Sequence, residues 1–245
     1  MAPFGDKARK YPGGFIDLSQ GTPVDPTPQF IQDAFSSASN SPSYPVVAGT
    51  AALKDAIRKW SVENLGVTGD FDVLPTIGSK EFIALLPTFL QSKSVLYPKV
   101  AYPTYLVSAM MASAQATPVD IDASSWPKAD LAWLNSPSNP TGQVQTDQEL
   151  KACITWARKN QAILASDECY LSFSDDAKSI LALAEGDNTG LLAVLSLSKR
   201  SNLAGYRAGF VVGDSKLIDQ IRQVRKHAGL MVPLPVQQAM ITALS

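Results

Sequence analysis

Lys199 and Arg207 stand eight positions apart in the polar segment Ser196-Leu-Ser-Lys-Arg-Ser-Asn-Leu-Ala-Gly-Tyr-Arg207, between the apolar runs 191–195 and 208–212. A lysine held at a strand end is partly stripped of water, which favours a neutral amine that attacks carbonyl carbon. An arginine offers a planar fork suited to phosphate. Together they are what an aldehyde cofactor carrying a phosphate would require, whereas the segment taken by itself also reads as a solvated basic loop.

Four other clusters bear on that choice. Gly78, Ser79 and Lys80 follow the apolar stretch 73–77 and precede a helical run over 81–90. A glycine turn that opens a helix presents free backbone amides to an anion, though it also serves as a plain cap. The loop Asn135-Ser-Pro-Ser-Asn139-Pro-Thr-Gly142 leaves an apolar strand. It is either a surface turn or a stiff loop at a strand's carboxyl end, where open α/β sheets bind ligands. Ser166-Asp167-Glu168-Cys169-Tyr170 ends another strand. A carboxylate there is costly to desolvate unless a cation or donor meets it, so Asp167 suits a protonated ring nitrogen, with Tyr170 in reach of the same ligand; a turn or helix cap is the alternative. Tyr102, in Ala101-Tyr-Pro-Thr-Tyr, would stack on a flat heteroaromatic ligand or else fill the core. His227, the single histidine, receives no role, and Cys153 and Cys169 lack metal-ligand spacing and read as inert buried thiols. No metal is expected.

These clusters need a scaffold that brings strand ends together. Short apolar runs at 94–97, 117–121, 131–135, 162–166, 192–196 and 208–212 read as strands, most of them apolar enough to be buried on both faces. Helical patterns cover 27–37, 51–64, 104–114, 146–160 and 215–227, with Thr146 and Glu149 spaced as a capping pair. The alternation predicts an α/β fold, a mostly parallel sheet with helices on both faces. Residues 1–43 are turn-rich and read as an N-terminal arm belonging to a smaller domain, and 44–245 as the large domain. The last stretch, 236–245, is an apolar helical pattern with no stop signal, so the chain reads as C-terminally incomplete. Lys and Arg total 21 against 22 Asp and Glu, a balance that disfavours a nucleic-acid partner. The N-terminus lacks an apolar signal core and no run is long enough to span a membrane, so a cytoplasmic protein is expected.

The motifs Asn139-Pro-Thr-Gly, Ser166-Asp-Glu-Cys-Tyr170 and Ser196-Leu-Ser-Lys199 with Arg207 resemble those of the fold-type I pyridoxal-phosphate enzymes, in the class I/II aminotransferase family. The resemblance implies pyridoxal 5'-phosphate as cofactor. Lys199 would bond to its aldehyde and shuttle the proton, and Asp167 would pair with the ring nitrogen. Asn139 and Tyr170 would hydrogen-bond its phenolic oxygen, and Tyr102 would stack on the ring. Gly78, Ser79, Lys80, Ser196 and Arg207 would hold the phosphate, Lys80 standing where many relatives carry a small or hydroxyl residue. Tyr44 would reach the phosphate of a neighbouring subunit, implying a homodimer, and Gly21 would lie beside the substrate carboxylate with Asn139. The arginine that binds the substrate α-carboxylate would lie beyond Ser245. Wording such as Asp17-Leu-Ser-Gln-Gly-Thr-Pro-Val-Asp-Pro, Ile77-Gly-Ser-Lys-Glu and Lys226-His-Ala-Gly-Leu-Met-Val-Pro resembles the actinobacterial succinyldiaminopimelate aminotransferases. That likeness implies transfer between glutamate and N-succinyl-2-amino-6-ketopimelate in lysine biosynthesis. The alternatives are another aminotransferase of aspartate or aromatic type, a lyase on the same cofactor, or an aminotransferase-like ligand sensor.

Overall fold

Runs of Val, Leu, Ile and Ala that lack a polar alternation pack well only where both faces are covered, and they form a seven-stranded sheet here. A computed structural model describes residues 2–16, 21 and 23–245. Of the motif at 17–26, residues 17–20 and 22 lie outside the described residues. The chain opens with helices α1 (Ala2–Arg9), α2 (Gln29–Ser37) and α3 (Ala51–Leu65). Strand β1 (Asp72–Ile77) and helix α4 (Gly78–Phe89) follow, then β2 (Ser94–Pro98), α5 (Thr104–Met111), β3 (Gln115–Val119) and β4 (Leu131–Asn135). Next come α6 (Asp147–Asn160), β5 (Ile163–Asp167), α7 (Ile180–Leu183), β6 (Leu191–Ser196) and α8 (Leu197–Arg200). The chain closes with β7 (Ala208–Gly213), α9 (Ser215–His227) and α10 (Leu234–Leu244).

The strand order is β1-β7-β6-β5-β4-β2-β3. The pairs from β3 to β6 are parallel, and β7 runs antiparallel to both β6 and β1. Alternate side chains of each strand feed two cores. On one face Leu134, Ala193 and Val212 meet α3, α6 and α10; on the other Trp133, Val194 and Val211 meet α4, α5 and α9. Each fully buried Leu, Val or Phe contributes about 1.5–3 kcal/mol relative to exposure, so these two layers hold the sheet.

The sequence reading of a mostly parallel α/β sheet with helices on both faces holds, with three adjustments. The strand expected at 117–121 lies at Gln115–Val119, because the ladder of this edge strand starts where Gln115 meets Ser94 and β2 sets its register. Helix α4 starts at Gly78 rather than at residue 81, because the Glu81 carboxylate accepts the Ile77 N–H at 3.0 Å and draws residues 78–80 into the first turn. The apolar face of 236–245 is covered: Val236, Ala239, Met240 and Leu244 of α10 are buried, and α10 packs on α2 and α3. The capping pair is present, with Thr146 accepting from the Glu149 N–H and the Glu149 carboxylate accepting from the Thr146 N–H. Among the described residues no helix is long and apolar enough to cross a membrane, and no group of His, Cys, Asp and Glu is arranged to hold a metal.

Candidate active site

The carboxyl ends of β1, β4, β5 and β6 meet at one edge of the sheet. Because β7 runs the other way, its first residues reach the same edge: Ala208 pairs with Ile77 and Gly209 with Ser196. Arg207, just before β7, therefore lies beside residues that follow β1 and β6. A cavity of about 640 Å³ opens there and is lined by Gly21, Ser79, Lys80, Tyr102, Asn139, Asp167, Cys169, Tyr170, Ser196, Lys199 and Arg207. A second, of about 860 Å³, shares Gly21, Asn139, Tyr170 and Lys199 with it and extends past Val24, Pro140 and Phe173.

One part of the first cavity is cationic and rich in hydroxyls. Arg207 has φ 54° and ψ 51°, a left-handed backbone that turns the chain into β7. Its Nη1 donates to the Ala204 carbonyl at 3.0 Å. Gly78, with φ +67°, makes room for the guanidinium: a Cβ at that position would lie 2.4 Å from Arg207 Nη2. The Ser196 hydroxyl accepts from the Ser198 N–H at 3.1 Å and so caps the short helix that carries Lys199. Lys199 Nζ donates to the Gly21 carbonyl. Lys80 Nζ sits 5.6 Å from the centroid of the Tyr102 ring, a cation–π contact.

Asp167, at the end of β5, is buried. Its Oδ2 accepts from the Tyr105 hydroxyl at 2.8 Å and its Oδ1 from the Cys169 N–H at 3.2 Å. Burial pushes its carboxyl above the usual range, and the hydrogen bonds from Cys169 and Tyr105 pull it back in part. Burial next to this carboxylate also drives the Tyr105 hydroxyl and the Cys169 thiol well above their ordinary values. Tyr105 stacks on Trp133 and meets Tyr102 edge-on, so an aromatic layer backs the carboxylate. Asn135 ties two of the motifs together: its Nδ2 donates to the Asp167 carbonyl at 2.9 Å and its Oδ1 accepts the Asn139 N–H at 2.6 Å. Tyr170 is half-buried, and burial raises its hydroxyl.

The next residue to Asp167, Glu168, points away from this cavity into the core. It is buried, its Oε1 accepts the Ile180 N–H at 3.0 Å at the start of α7, and its Oε2 has no partner among the described residues. Burial brings its carboxyl up to about 7.

The first cavity brings together Gly21, Ser79, Lys80, Tyr102, Asn139, Asp167, Tyr170, Ser196, Lys199 and Arg207. Gly78 and Tyr44 line neither cavity: Gly78 lies against the Arg207 guanidinium, and Tyr44 is 95% exposed. Of the two thiols expected to be inert and buried, Cys169 departs only in its burial, since its raised thiol stays protonated. Cys153 is buried, its thiol raised to about 12 by burial, whereas Cys169 is half-buried, lines the cavity and braces Asp167. Tyr105 and Asn135 were missed, although both stand in the quoted motifs, at the last residue of Ala101-Tyr-Pro-Thr-Tyr and the first of the asparagine loop.

Residues 14–245 match the family model of aminotransferase class I and II. The chain is 46% identical to the 4-dedimethylamino-4-oxo-anhydrotetracycline transaminase OxyQ of Streptomyces rimosus, over all of this chain and 70% of that protein. It is 47% identical to a probable aminotransferase of Mycobacterium tuberculosis, over 97% of this chain and 59% of that protein. A solved structure of a probable N-succinyldiaminopimelate aminotransferase from Thermus thermophilus superposes with a TM-score of 0.88 at 30% identity, over 98% of this chain and 70% of that one. The chain thus spans between 59% and 70% of the length of these relatives. Members of the matched family use pyridoxal phosphate. By this match, and by the fold and edge cavity that accompany it, the chain belongs to the class I and II aminotransferases.

Proposed function

We propose that this chain is the cofactor-binding portion of a pyridoxal-phosphate-dependent transaminase that passes an amino group between glutamate and a keto acid. The observation that carries this reading is one cavity lined by both the Lys199 amine and the buried Asp167 carboxylate, with Ser79, Ser196 and Arg207 beside them. The donor set fits the cofactor. A guanidinium and two hydroxyls, in a cradle that a Cβ at residue 78 would fill, suit a phosphate monoester. A buried carboxylate that accepts two donors among the described residues retains capacity for the N–H of a protonated ring.

When bound, pyridoxal phosphate supplies an aldehyde for amine exchange and a ring that delocalises an electron pair. The chain supplies the rest. Lys199 Nζ would hold the aldehyde and, as the base beside the substrate Cα, would take and return its proton. Asp167 would pair with the ring nitrogen and keep it protonated. Asn139 and Tyr170 would donate to the phenolic oxygen, and Tyr102 would cover the ring. Gly78, Ser79, Lys80, Ser196 and Arg207 would hold the phosphate. Gly21 and Asn139 flank the substrate carboxylate. Exposed Tyr44 suits a role toward a second copy, in a homodimer. Residues 1–43 form the arm of a smaller domain and 44–245 the large one.

For the acceptor we infer a succinylated keto acid of the diaminopimelate type, supported by likeness to the Thermus thermophilus protein. The greater identity with OxyQ favours a second reading, a polycyclic ketone. Product analysis with glutamate and both acceptors separates them. Borohydride reduction of the chain mixed with pyridoxal phosphate should fix the cofactor to the peptide holding Lys199, and Lys199→Ala should leave that peptide unlabelled. Labelling of another residue instead would sink the assignment.

A further inference from the structure

Arg225, on α9, is fully buried yet lines neither cavity. It grips Glu81 with both arms: Nη1 donates to Oε2 at 2.8 Å and Nη2 to Oε1 at 2.7 Å. Nη2 also donates to the Leu230 carbonyl at 3.3 Å, fastening the segment between α9 and α10. The same Glu81 Oε1 accepts the N–H of Ile77, the residue before Gly78. One carboxylate is thus shared between a buried cation and the boundary of the helix whose next residues, Ser79 and Lys80, face the cavity.

A carboxylate in the first turn of a helix ordinarily complements the positive end of the helix dipole. Here that end is where an anion would bind, so an unpaired Glu81 would repel it across a short distance in a medium that screens poorly. Arg225, which lines neither cavity, cancels that charge. A buried ion pair adds little net stability in general, because desolvation offsets the attraction. Stability alone is therefore a weak reason for burying this one.

We propose that Glu81 and Arg225 are positioning residues of the anion cradle: Glu81 fixes the turn at residues 77–80 through the Ile77 N–H, and Arg225 neutralises Glu81 so that a phosphate monoester meets no opposing charge. The inference rests on the reading that this cavity takes pyridoxal phosphate.

The test compares pyridoxal phosphate with pyridoxal, which lacks only the phosphate. Absorbance titration of the purified chain gives Kd for both ligands in the wild type, R225M, E81Q and the double variant. A wild type that binds neither ligand sinks the cofactor reading and this inference with it; a wild type that prefers pyridoxal phosphate upholds the reading and leaves the variants to judge the pair. R225M should lose about tenfold in affinity for pyridoxal phosphate, while its affinity for pyridoxal changes by less than about twofold. E81Q should keep the preference for the phosphorylated ligand, and the double variant should recover most of the loss. Equal losses for both ligands, a double variant no better than R225M, or an E81Q that loses the preference would each overturn the inference. Should R225M fail to fold, E81Q decides by the same criterion.

Discussion

Replacing Glu168 by glutamine should remove a pH-dependent weakness from the fold. The Glu168 carboxyl, raised by burial from 4.5 to about 7, keeps its proton in the folded chain at pH values where the unfolded chain has lost it. Between those two values the folded state binds more protons than the unfolded one. Stability therefore falls as pH rises through this window and levels off above about 7. Each pH unit inside the window costs about 1.4 kcal/mol, so the group withdraws about 2–3 kcal/mol between pH 5 and pH 8. Glu168→Gln keeps an oxygen to accept the Ile180 N–H but has nothing to ionise. At pH 5 the variant should match the wild type or fall slightly below it. By pH 8 it should have gained about 2–3 kcal/mol on the wild type, or roughly 5–10 °C in Tm for a chain of this size. Urea unfolding of both cofactor-free proteins at the two pH values measures the difference directly. A gap that stays constant from pH 5 to pH 8 would refute the claim that this carboxyl is buried and raised.

Two further outcomes follow from the site. Gly78→Ala would set a Cβ 2.4 Å from Arg207 Nη2 at a left-handed φ. Titration should show weaker binding of pyridoxal phosphate, and denaturant unfolding a stability loss of about 1–2 kcal/mol. Tyr105→Phe deletes the 2.8 Å donor to Asp167. The stability loss should be larger at high pH than at low pH, because an ionised carboxylate needs the donor more than a neutral acid does; denaturant unfolding across the pH range checks the sign.

The sheet was legible because its strands are written as unbroken apolar runs, and five of the six expected strands match within one residue at each end. The candidate site was legible for a related reason. Strand ends punctuate apolar runs, so Asp167, Asn139, Lys199 and Arg207 announce themselves as polar residues in loops that follow or precede core strands. What stayed hidden is what depends on distant partners. Nothing near Tyr105 indicates that its hydroxyl meets a carboxylate 62 positions later, and Glu81 and Arg225 are separated by 144 positions. The terminal helix is a milder case. Its apolar face looked unpartnered because α2, which covers it, lies at the opposite end of the chain.

The reversal of β7 also divides the assembly of the cavity into an early and a late half. Strands β6 and β7 are joined by residues 197–207 alone, so their pairing closes a short loop and costs little chain entropy. Lys199 and Arg207 ride on that local unit. Strand β1 reaches β7 only when Ile77 finds Ala208, across most of the chain. Topology of this kind is slow to form, because the entropy of the long loop is lost before its contacts are gained. Residues 78–80, which follow β1, therefore join the lysine and arginine only as the sheet completes, so a partly folded chain carries the amine without the full anion cradle.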